Sequence, residues 1–410
     1  MTHKLWTKNF TIITVGSLIS TMGNAVSNFA LGLIVFNATQ STFLYSLFMI
    51  IAALPKIIIP LMIGPFVDRR SRKNIIVTID TIYGFIFAVF AYIIYKDLYS
   101  YPLFVLLGIT LGTLDSIYNV AYESLYPEFI TEGNFSKAYS ISSLIYPIAT
   151  TIMVPVAGFA YESIGVAPLF LFNGITFFIT QAIERFIVAE ESHLSQRKSQ
   201  SKIASSYKED FKEGIAYLKK ERGLMSITAY FCIATMAGSI TQTLYLPFFT
   251  ASPDHTVTQY SMMMAVMTFG RCIGGLVHYR YRYPADKKYT IAVCVYLTLS
   301  ILNGMILFMP YFVMLGISLI IGILGVTSYN IRISGTQNYV PNEKRGRFNG
   351  IFMMATMAGS ILGQFVGGIL GEFMPIPYIV LGFMAIEFMG ALGIMLKNRE
   401  HVKLIYNQSI

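Results

Sequence analysis

The stretch from Gly64 to Asn74 reads G-P-F-V-D-R-R-S-R-K-N and separates two long apolar runs. It contains one acid and four cations, which are Asp68, Arg69, Arg70, Arg72 and Lys73. Cations beside the end of a membrane helix stay on the cytoplasmic side, because moving them across the bilayer is costly. The stretch therefore predicts a short cytoplasmic loop between two membrane-spanning helices.

The composition of the chain is that of a membrane protein. Of its 410 residues, 55% are hydrophobic and 12% are charged. A soluble domain carries roughly twice that charged fraction. The net charge of +9 is spread over many short loops. This distribution favours the positive-inside bias of membrane proteins over a nucleic-acid-binding patch.

Twelve apolar segments are each long enough to span a membrane as a helix, which takes about 20 residues. They lie near 10–36, 43–66, 75–95, 102–125, 137–161, 166–188, 223–250, 257–279, 289–309, 312–338, 348–371 and 376–396. The sequence thus predicts an all-α polytopic protein. The connection 189–222 is the long one, and its end has the spacing of an amphipathic helix lying on the membrane surface.

Lysine and arginine are concentrated in alternate connections between these segments. The opposite set of connections holds only Lys96. A miscounted helix would exchange the two sets for every later loop. We therefore expect both termini to be cytoplasmic, in a multi-pass protein of the cell membrane.

The two halves of the chain repeat weakly at an offset of about 210 residues. Gly64 to Arg72 aligns with Gly274 to Arg282. Internal repeats of this kind are common in secondary transporters. We predict two pseudo-symmetric six-helix bundles, residues 1–190 and 223–410, which are joined by a cytoplasmic linker at 191–222 that contains the amphipathic helix.

The Gly64 to Lys73 pattern, Gly-x-x-x-Asp-Arg-x-x-Arg-Lys, resembles the loop between helices two and three of the major facilitator superfamily of transporters. Ser71 stands where the family motif has Gly. Two further stretches, Leu125-Tyr126-Pro127 followed by Ala138 and Phe211-x-Glu213-Gly214-x-x-x-Leu218, resemble the macrolide-efflux branch of the drug:proton antiporters. The resemblance implies the major facilitator fold and transport by alternating access.

The resemblance also implies a gating motif, composed of Gly64, Asp68, Arg69, Arg72 and Lys73. In the family, the acid of this motif lies at the cytoplasmic start of helix eleven, which here is near 346–349. The arginine that follows it pairs with an acid at the end of helix four, for which Glu123 is the candidate. The alternative is a charge cluster that only sets the topology.

Several ionisable residues lie inside the predicted spans, where a charge usually faces a cavity or a partner. The resemblance implies that helices one, four, seven and ten line the transport cavity. Candidates for proton or substrate binding are Asp115, Glu123, Arg332, Asn24, Asn28, Tyr118, Asn119, Gln242 and Lys56. A structural ion pair is the alternative for each charge. We expect Asp80 to pair with the basic loop and Glu387 to be structural.

These features predict a secondary active transporter that exports small amphipathic compounds of the drug or antibiotic type as a proton antiporter. Asp115 is the first candidate for the proton acceptor and Glu123 the second. Alternatives are an exporter of an endogenous metabolite, such as a siderophore or lipid, and a non-transporting membrane receptor. The sequence has no nucleophile–base or metal-ligand cluster, so we expect no enzyme, metal or cofactor. The expected partners are a small-molecule substrate, protons and the lipid bilayer, with no nucleic acid, and the expected state is a monomer.

Overall fold

The computed structural model describes residues 4–67, 69–188, 207–281 and 283–408. These ranges fold into α-helices joined by short turns. The helices are α1 (Lys8–Thr39), α2 (Thr42–Val67), α3 (Arg72–Tyr95), α4 (Tyr101–Leu125), α5 (Phe135–Ile164), α6 (Ala167–Glu184), α7 (Tyr207–Lys220), α8 (Arg222–Ala251), α9 (Val257–Arg280), α10 (Lys288–Met305), α11 (Tyr311–Tyr339), α12 (Asn342–Gly371), α13 (Ile376–Gly390) and α14 (Arg399–Tyr406). Within the described ranges, twelve helices are long and apolar enough to cross a membrane, which confirms the predicted number of spans.

Contacts between the helices divide the chain into two compact units. The first contains the described residues up to Val188 together with Pro253–Ala265. The second contains 207–252 and 266–408, so α9 contributes its beginning to the first unit and its remainder to the second. Much of the predicted linker, 191–206, lies outside the described residues. The amphipathic helix predicted after it is present as α7.

Small residues set the closest helix contacts in both units, as is usual in membranes. In the first unit, a Cβ at Gly112 of α4 would lie 2.5 Å from the carbonyl oxygen of Ala52 on α2. In the second unit, Gly359 and Gly363 of α12 bring that helix against the backbone of α8 at Cys232 and Met236. These glycines of the eleventh span therefore form a packing surface against α8.

The helix ends differ most from prediction where the chain leaves the membrane. The helix α12 begins at Asn342, right after Pro341, rather than near 348. Its polar first turn is helical, although hydropathy detects only the apolar part of a helix. The short helix α14 was not predicted, because its three buried residues, Val402, Ile405 and Tyr406, are too few to form an apolar run.

A pair of glycine substitutions in α12 tests this packing. We expect Gly363→Ala to lower the melting temperature of the purified protein, because the new Cβ would meet the carbonyl oxygen of Met236. Gly350→Ala is the matched control, since a Cβ there meets no atom within 4 Å. Alanine favours a helix over glycine by about 1 kcal/mol, so the control variant should be as stable as the parent or more so. Equal melting temperatures for the two variants would contradict the close contact.

Candidate functional site

An ion pair in the middle of the first unit joins two of the predicted candidates. The Nζ of Lys56 on α2 lies 2.9 Å from the Oδ2 of Asp115 on α4. The hydroxyl of Ser116 donates to the carbonyl of Pro55 at 3.2 Å, which holds the two helices in register beside the pair. The side chains of Lys56 and Asp115 are 56% and 35% exposed. The pair therefore borders a space that the protein itself does not fill.

Other predicted candidates divide into exposed and structural residues. Asn28 on α1, Asn119 on α4 and Gln242 on α8 are exposed, although each lies within a membrane span. An exposed amide within a span is more favourable facing water than lipid. Asn24 instead accepts a hydrogen bond from Asn173 at 3.3 Å, so it belongs to the contact between α1 and α6.

The hydroxyl of Tyr118 is buried and has no hydrogen-bond partner among the described residues. The neighbouring Tyr122 accepts a hydrogen bond from Ser17 at 2.9 Å. The tyrosines of α4 thus face the interior of the first unit, whereas Asn119 faces out of it. Tyr118 and Asn119 were both predicted to line the transport cavity, because the sequence does not show which face of α4 points into the protein.

Arg332 on α11 lies among aromatic rings in the second unit and is half-buried. Its guanidinium carbon is 5.4 Å from the ring centre of Phe231, 5.2 Å from that of Tyr329 and 4.6 Å from that of Phe352. Cations are attracted to the negative faces of such rings. The described residues give it no carboxylate partner. Arg332 is therefore a half-buried cation whose counter-charge is not supplied by the described part of the unit.

The basic loop, which joins α2 to α3, is held within the first unit by contacts of Arg72 and Lys73. Ser71 accepts a hydrogen bond from the backbone N–H of Asn74 at 3.1 Å and so starts α3. Arg72 then pairs with Glu128 at 2.8 Å and donates to the carbonyl of Ser124 at 3.2 Å.

The motif partners differ in part from those expected. Arg69 and Glu123 form no ion pair with each other among the described residues, and Arg72 with Glu128 takes that place. The start of α3 at Arg72 explains the difference, because it directs Arg72 toward the turn after α4. Asp68 lies outside the described residues, so its predicted contact stays a prediction. Gly64 lies near the end of α2 with no atom close to its missing side chain.

The expectation that Asp80 pairs with the basic loop is wrong. Asp80 is fully buried and lies beside Glu184, the last residue of α6, which is also fully buried. Glu184 was missed, although an acid within the apolar segment 166–188 is a visible signal. Glu387 is also buried and accepts a hydrogen bond from the hydroxyl of Tyr230 at 3.3 Å, in keeping with the structural role expected for it.

Glu162, at the end of α5, caps the start of α9. Its carboxylate accepts from the backbone N–H of Thr258 at 2.9 Å and from the hydroxyl of Thr258 at 2.7 Å. One turn earlier, Gly158 packs against Ser261. A carboxylate at this position satisfies free N–H groups and interacts favourably with the helix dipole.

Removal of the Glu162 carboxylate should loosen the start of α9. We expect Glu162→Ala to raise hydrogen exchange of the backbone amides around Thr258 by about fivefold, since such a cap contributes about 1 kcal/mol. Mass spectrometry of the segment 253–265 would measure it. Glu132→Ala, which removes an exposed carboxylate from a turn, is the control and should leave the exchange unchanged. Unchanged exchange in Glu162→Ala would contradict the capping role.

Comparison with known proteins places the whole chain in one family. The model described as Major Facilitator Superfamily matches residues 13–363 and 231–405. The MFS-type transporter YkuC of Bacillus subtilis (strain 168) is 24% identical over 282 residues, which make up 66% of this chain and 64% of that protein. The match thus spans slightly less than two thirds of that relative.

Two other relatives match over longer parts of their length. The MFS-type transporter YfiS of Bacillus subtilis (strain 168) is 25% identical over 395 residues, 92% of this chain and 91% of that protein. Macrolide efflux protein A of Streptococcus pyogenes is 22% identical over 328 residues, 76% of this chain and 78% of that protein.

Solved structures share the fold. The nucleoside transporter NupG aligns with a TM-score of 0.68 at 16% identity and covers 94% of this chain and 98% of that chain. A bacterial homologue of the iron transporter ferroportin aligns with a TM-score of 0.68 at 13% identity and covers 94% of this chain and 98% of that chain. At these identities the likeness shows the fold alone. With the family model matched over nearly its full length, the chain is a multi-pass membrane transporter that belongs to the major facilitator superfamily.

Proposed function

We propose that the chain exports small amphipathic compounds in exchange for protons, by alternating access of a polar site within the membrane. The observation on which proton coupling rests is a partly exposed carboxylate within a membrane span, Asp115, whose contact with Lys56 a bound proton would break. Drug export is supported by the similarity to macrolide efflux protein A. Exposed amides within the spans, Asn28 and Asn119 in the first unit and Gln242 in the second, are more favourable facing water than lipid.

The Lys56–Asp115 pair can couple proton binding to a change in charge. While Asp115 is ionised, the ammonium of Lys56 at 2.9 Å neutralises it. Protonation of Asp115 removes this attraction and releases Lys56, and the loss of the proton restores the pair. The contact between α2 and α4 would thus differ between the two protonation states of Asp115. Such a difference is required for a proton to drive a conformational change.

The energy available from one proton suffices for export. One elementary charge moving inward across about 150 mV releases roughly 3.5 kcal/mol. This energy supports a concentration ratio of about a few hundred for the exported compound. Export of an amphipathic compound that leaks back slowly through the bilayer is therefore feasible.

Everted membrane vesicles test the proposal. Vesicles that contain the protein should accumulate an amphipathic fluorescent dye when a proton gradient is imposed, and an uncoupler should abolish the accumulation. Vesicles without the protein are the control. Accumulation that survives the uncoupler would contradict proton coupling. Absence of transport for a broad panel of dyes and antibiotics would favour the non-transporting receptor.

The proposed orientation places both termini in the cytoplasm of the cell and the protein in the plasma membrane as a monomer. The cations of the basic loop support the orientation, because they favour the cytoplasmic side of the membrane. In this orientation Gly64, Asp68, Arg69, Arg72 and Lys73 form the cytoplasmic gating motif. Reporter fusions that are active only in the cytoplasm, placed at the C-terminus and after Lys96, would test the orientation. Activity of the Lys96 fusion alone would reverse it.

A second function is favoured by Arg332. A half-buried cation among aromatic rings, without a described carboxylate partner, suits a substrate that brings its own negative charge. An exporter of an anionic endogenous metabolite, such as a siderophore or an acidic lipid, would use it directly. Competition of anionic and cationic compounds for transport distinguishes this function from general drug efflux.

A further inference from the structure

Two acids meet inside the first unit, away from the Lys56–Asp115 pair. Asp80 lies eight residues into α3, and Glu184 ends α6. We call these two residues the carboxyl pair. Each has a relative exposure of 0%, and the two carboxyl groups are close enough to interact electrostatically. A single buried acid is uncommon, and two that face each other require an explanation.

The surroundings supply neither a cation nor a hydrogen bond. All four oxygens of the carboxyl pair are without a hydrogen-bond partner among the other described residues. Neither acid forms an ion pair with a described lysine, arginine or histidine. A buried ionised carboxylate without such a partner is strongly unfavourable, and two ionised carboxylates in contact are more so.

The described residues around the carboxyl pair pack closely against it and give it no ion-pair partner. A Cβ at Gly16 of α1 would lie 2.8 Å from the Oε1 of Glu184, so the glycine makes room for the carboxyl group. The titratable groups that face the pair are tyrosines: Tyr83 from α3, with Tyr118 and Tyr122 from α4. The hydroxyl of Tyr118 is itself buried and unpartnered among the residues that the structure describes. It forms no hydrogen bond with either carboxyl group in this structure.

We propose that Asp80 and Glu184 form a proton-binding site in which the two carboxyl groups share one proton. The bound proton makes one group a carboxylic acid, which donates an O–H hydrogen bond to the carboxylate of the other. The pair then carries one negative charge, shared between the two carboxyl groups. When the proton leaves, both groups are ionised and repel each other. This site does not depend on the identity of the transported compound.

A proton is a better ligand for this site than a metal ion. Calcium prefers six to eight oxygen ligands, and zinc prefers four nitrogen or sulfur ligands. The described residues contain no group of three or more metal-ligating acids, histidines or cysteines. Two carboxyl groups and a phenol provide too few ligands for either ion, but they suffice to hold a proton.

The basic loop gives the carboxyl pair a connection to the end of the unit. The Nζ of Lys73 donates to the carbonyl of Arg185 at 2.9 Å, and Arg185 directly follows Glu184. This contact ties the start of α3, the helix that carries Asp80, to the residue that follows Glu184.

Infrared spectroscopy of the full chain in lipid vesicles tests the proton directly. Wild type should show a protonated carboxyl band that shifts in heavy water and disappears at high pH. The double variant Asp80→Asn, Glu184→Gln should lack it, whereas Glu387→Gln, which removes another buried acid, should retain it. A spectrum that is the same in wild type and double variant would overturn the proposal.

Thermal unfolding at different pH values provides a second readout. The folded pair holds a proton that the unfolded chain has released, so the melting temperature of wild type should fall by a few degrees from about pH 5 to about pH 9. Each single variant, Asp80→Asn or Glu184→Gln, keeps only one carboxyl group and should lose less stability over that range. Glu132→Gln, which removes an exposed acid from a turn, should behave like wild type. The same loss of stability in wild type and both single variants would overturn the proposal.

Added salts separate a proton from a metal ion. If sodium or magnesium, but not choline, removed the infrared band of wild type, the site would bind a cation and the proposal would fail. The infrared band can be assigned to the pair even if vesicles that contain the protein show no proton-driven transport. That combination of results would overturn the proposed function but not the proton-binding site.

Discussion

Asp115→Asn should abolish proton-driven accumulation of amphipathic dyes in everted vesicles. Asparagine has nearly the size of aspartate but cannot gain or lose a proton, so the pair with Lys56 can no longer alternate between two charge states. Loss of the coupling ion removes the driving force of about 3.5 kcal/mol for each proton and leaves only downhill movement. We therefore expect a loss of at least about a hundredfold in the concentration ratio that the vesicles reach.

Two comparisons make this result specific to the ion pair. Asp97→Asn removes an exposed carboxylate after α3 and should leave accumulation unchanged. Downhill efflux from preloaded vesicles should persist in Asp115→Asn, because the polar path is intact. If Asp115→Asn accumulated dye as wild type does, Asp115 would not be the coupling residue. Loss of both uphill and downhill transport would indicate a structural role for the pair.

The twelve spans could be predicted from the sequence because each crossing requires a long apolar segment, and such segments are visible without a structure. The pairing of Lys56 with Asp115 could not be predicted in the same way. Both residues were recognised as charges within spans, yet they are 59 positions apart on helices whose rotation the hydropathy does not define. The short helix α14 was missed for a related reason, since only three of its residues are buried.

The error at Asp80 has a clear physical cause. An acid two turns into a helix below a basic loop satisfies a charge-pairing rule, and the acid in the segment 166–188 is visible in the sequence without any sign that it lies beside Asp80. Whether the side chain points to the loop or into the bundle depends on which helices pack against α3. In the structure the partner is α6, which contributes a second acid instead of a cation. A local charge pattern therefore does not identify the buried partner of an acid.

Arg332→Gln should selectively impair the transport of anionic compounds. A charge-assisted hydrogen bond contributes about 1.5–3 kcal/mol, so we expect the kcat/KM for an anionic substrate to fall by roughly 10- to 150-fold. The transport of a cationic dye should be unchanged or improved, because glutamine removes a repulsive charge. Parallel measurements of one anionic and one cationic fluorescent compound in the same vesicles would check this prediction.

Arg332→Lys distinguishes an anion-binding role from a packing role. Lysine keeps the charge but loses the flat guanidinium that lies 4.6 Å from the ring of Phe352 and close to Phe231 and Tyr329. If the charge binds substrate, Lys should restore most of the anion transport that Gln loses. If Arg332 only fills the space between the rings, Lys and Gln should both lower the melting temperature and impair both classes of compound equally. Selective rescue by lysine would favour an anionic metabolite over a general amphipathic drug. It would mean that the cation at position 332, which has no described acidic partner, acts by attracting the negative charge of the substrate.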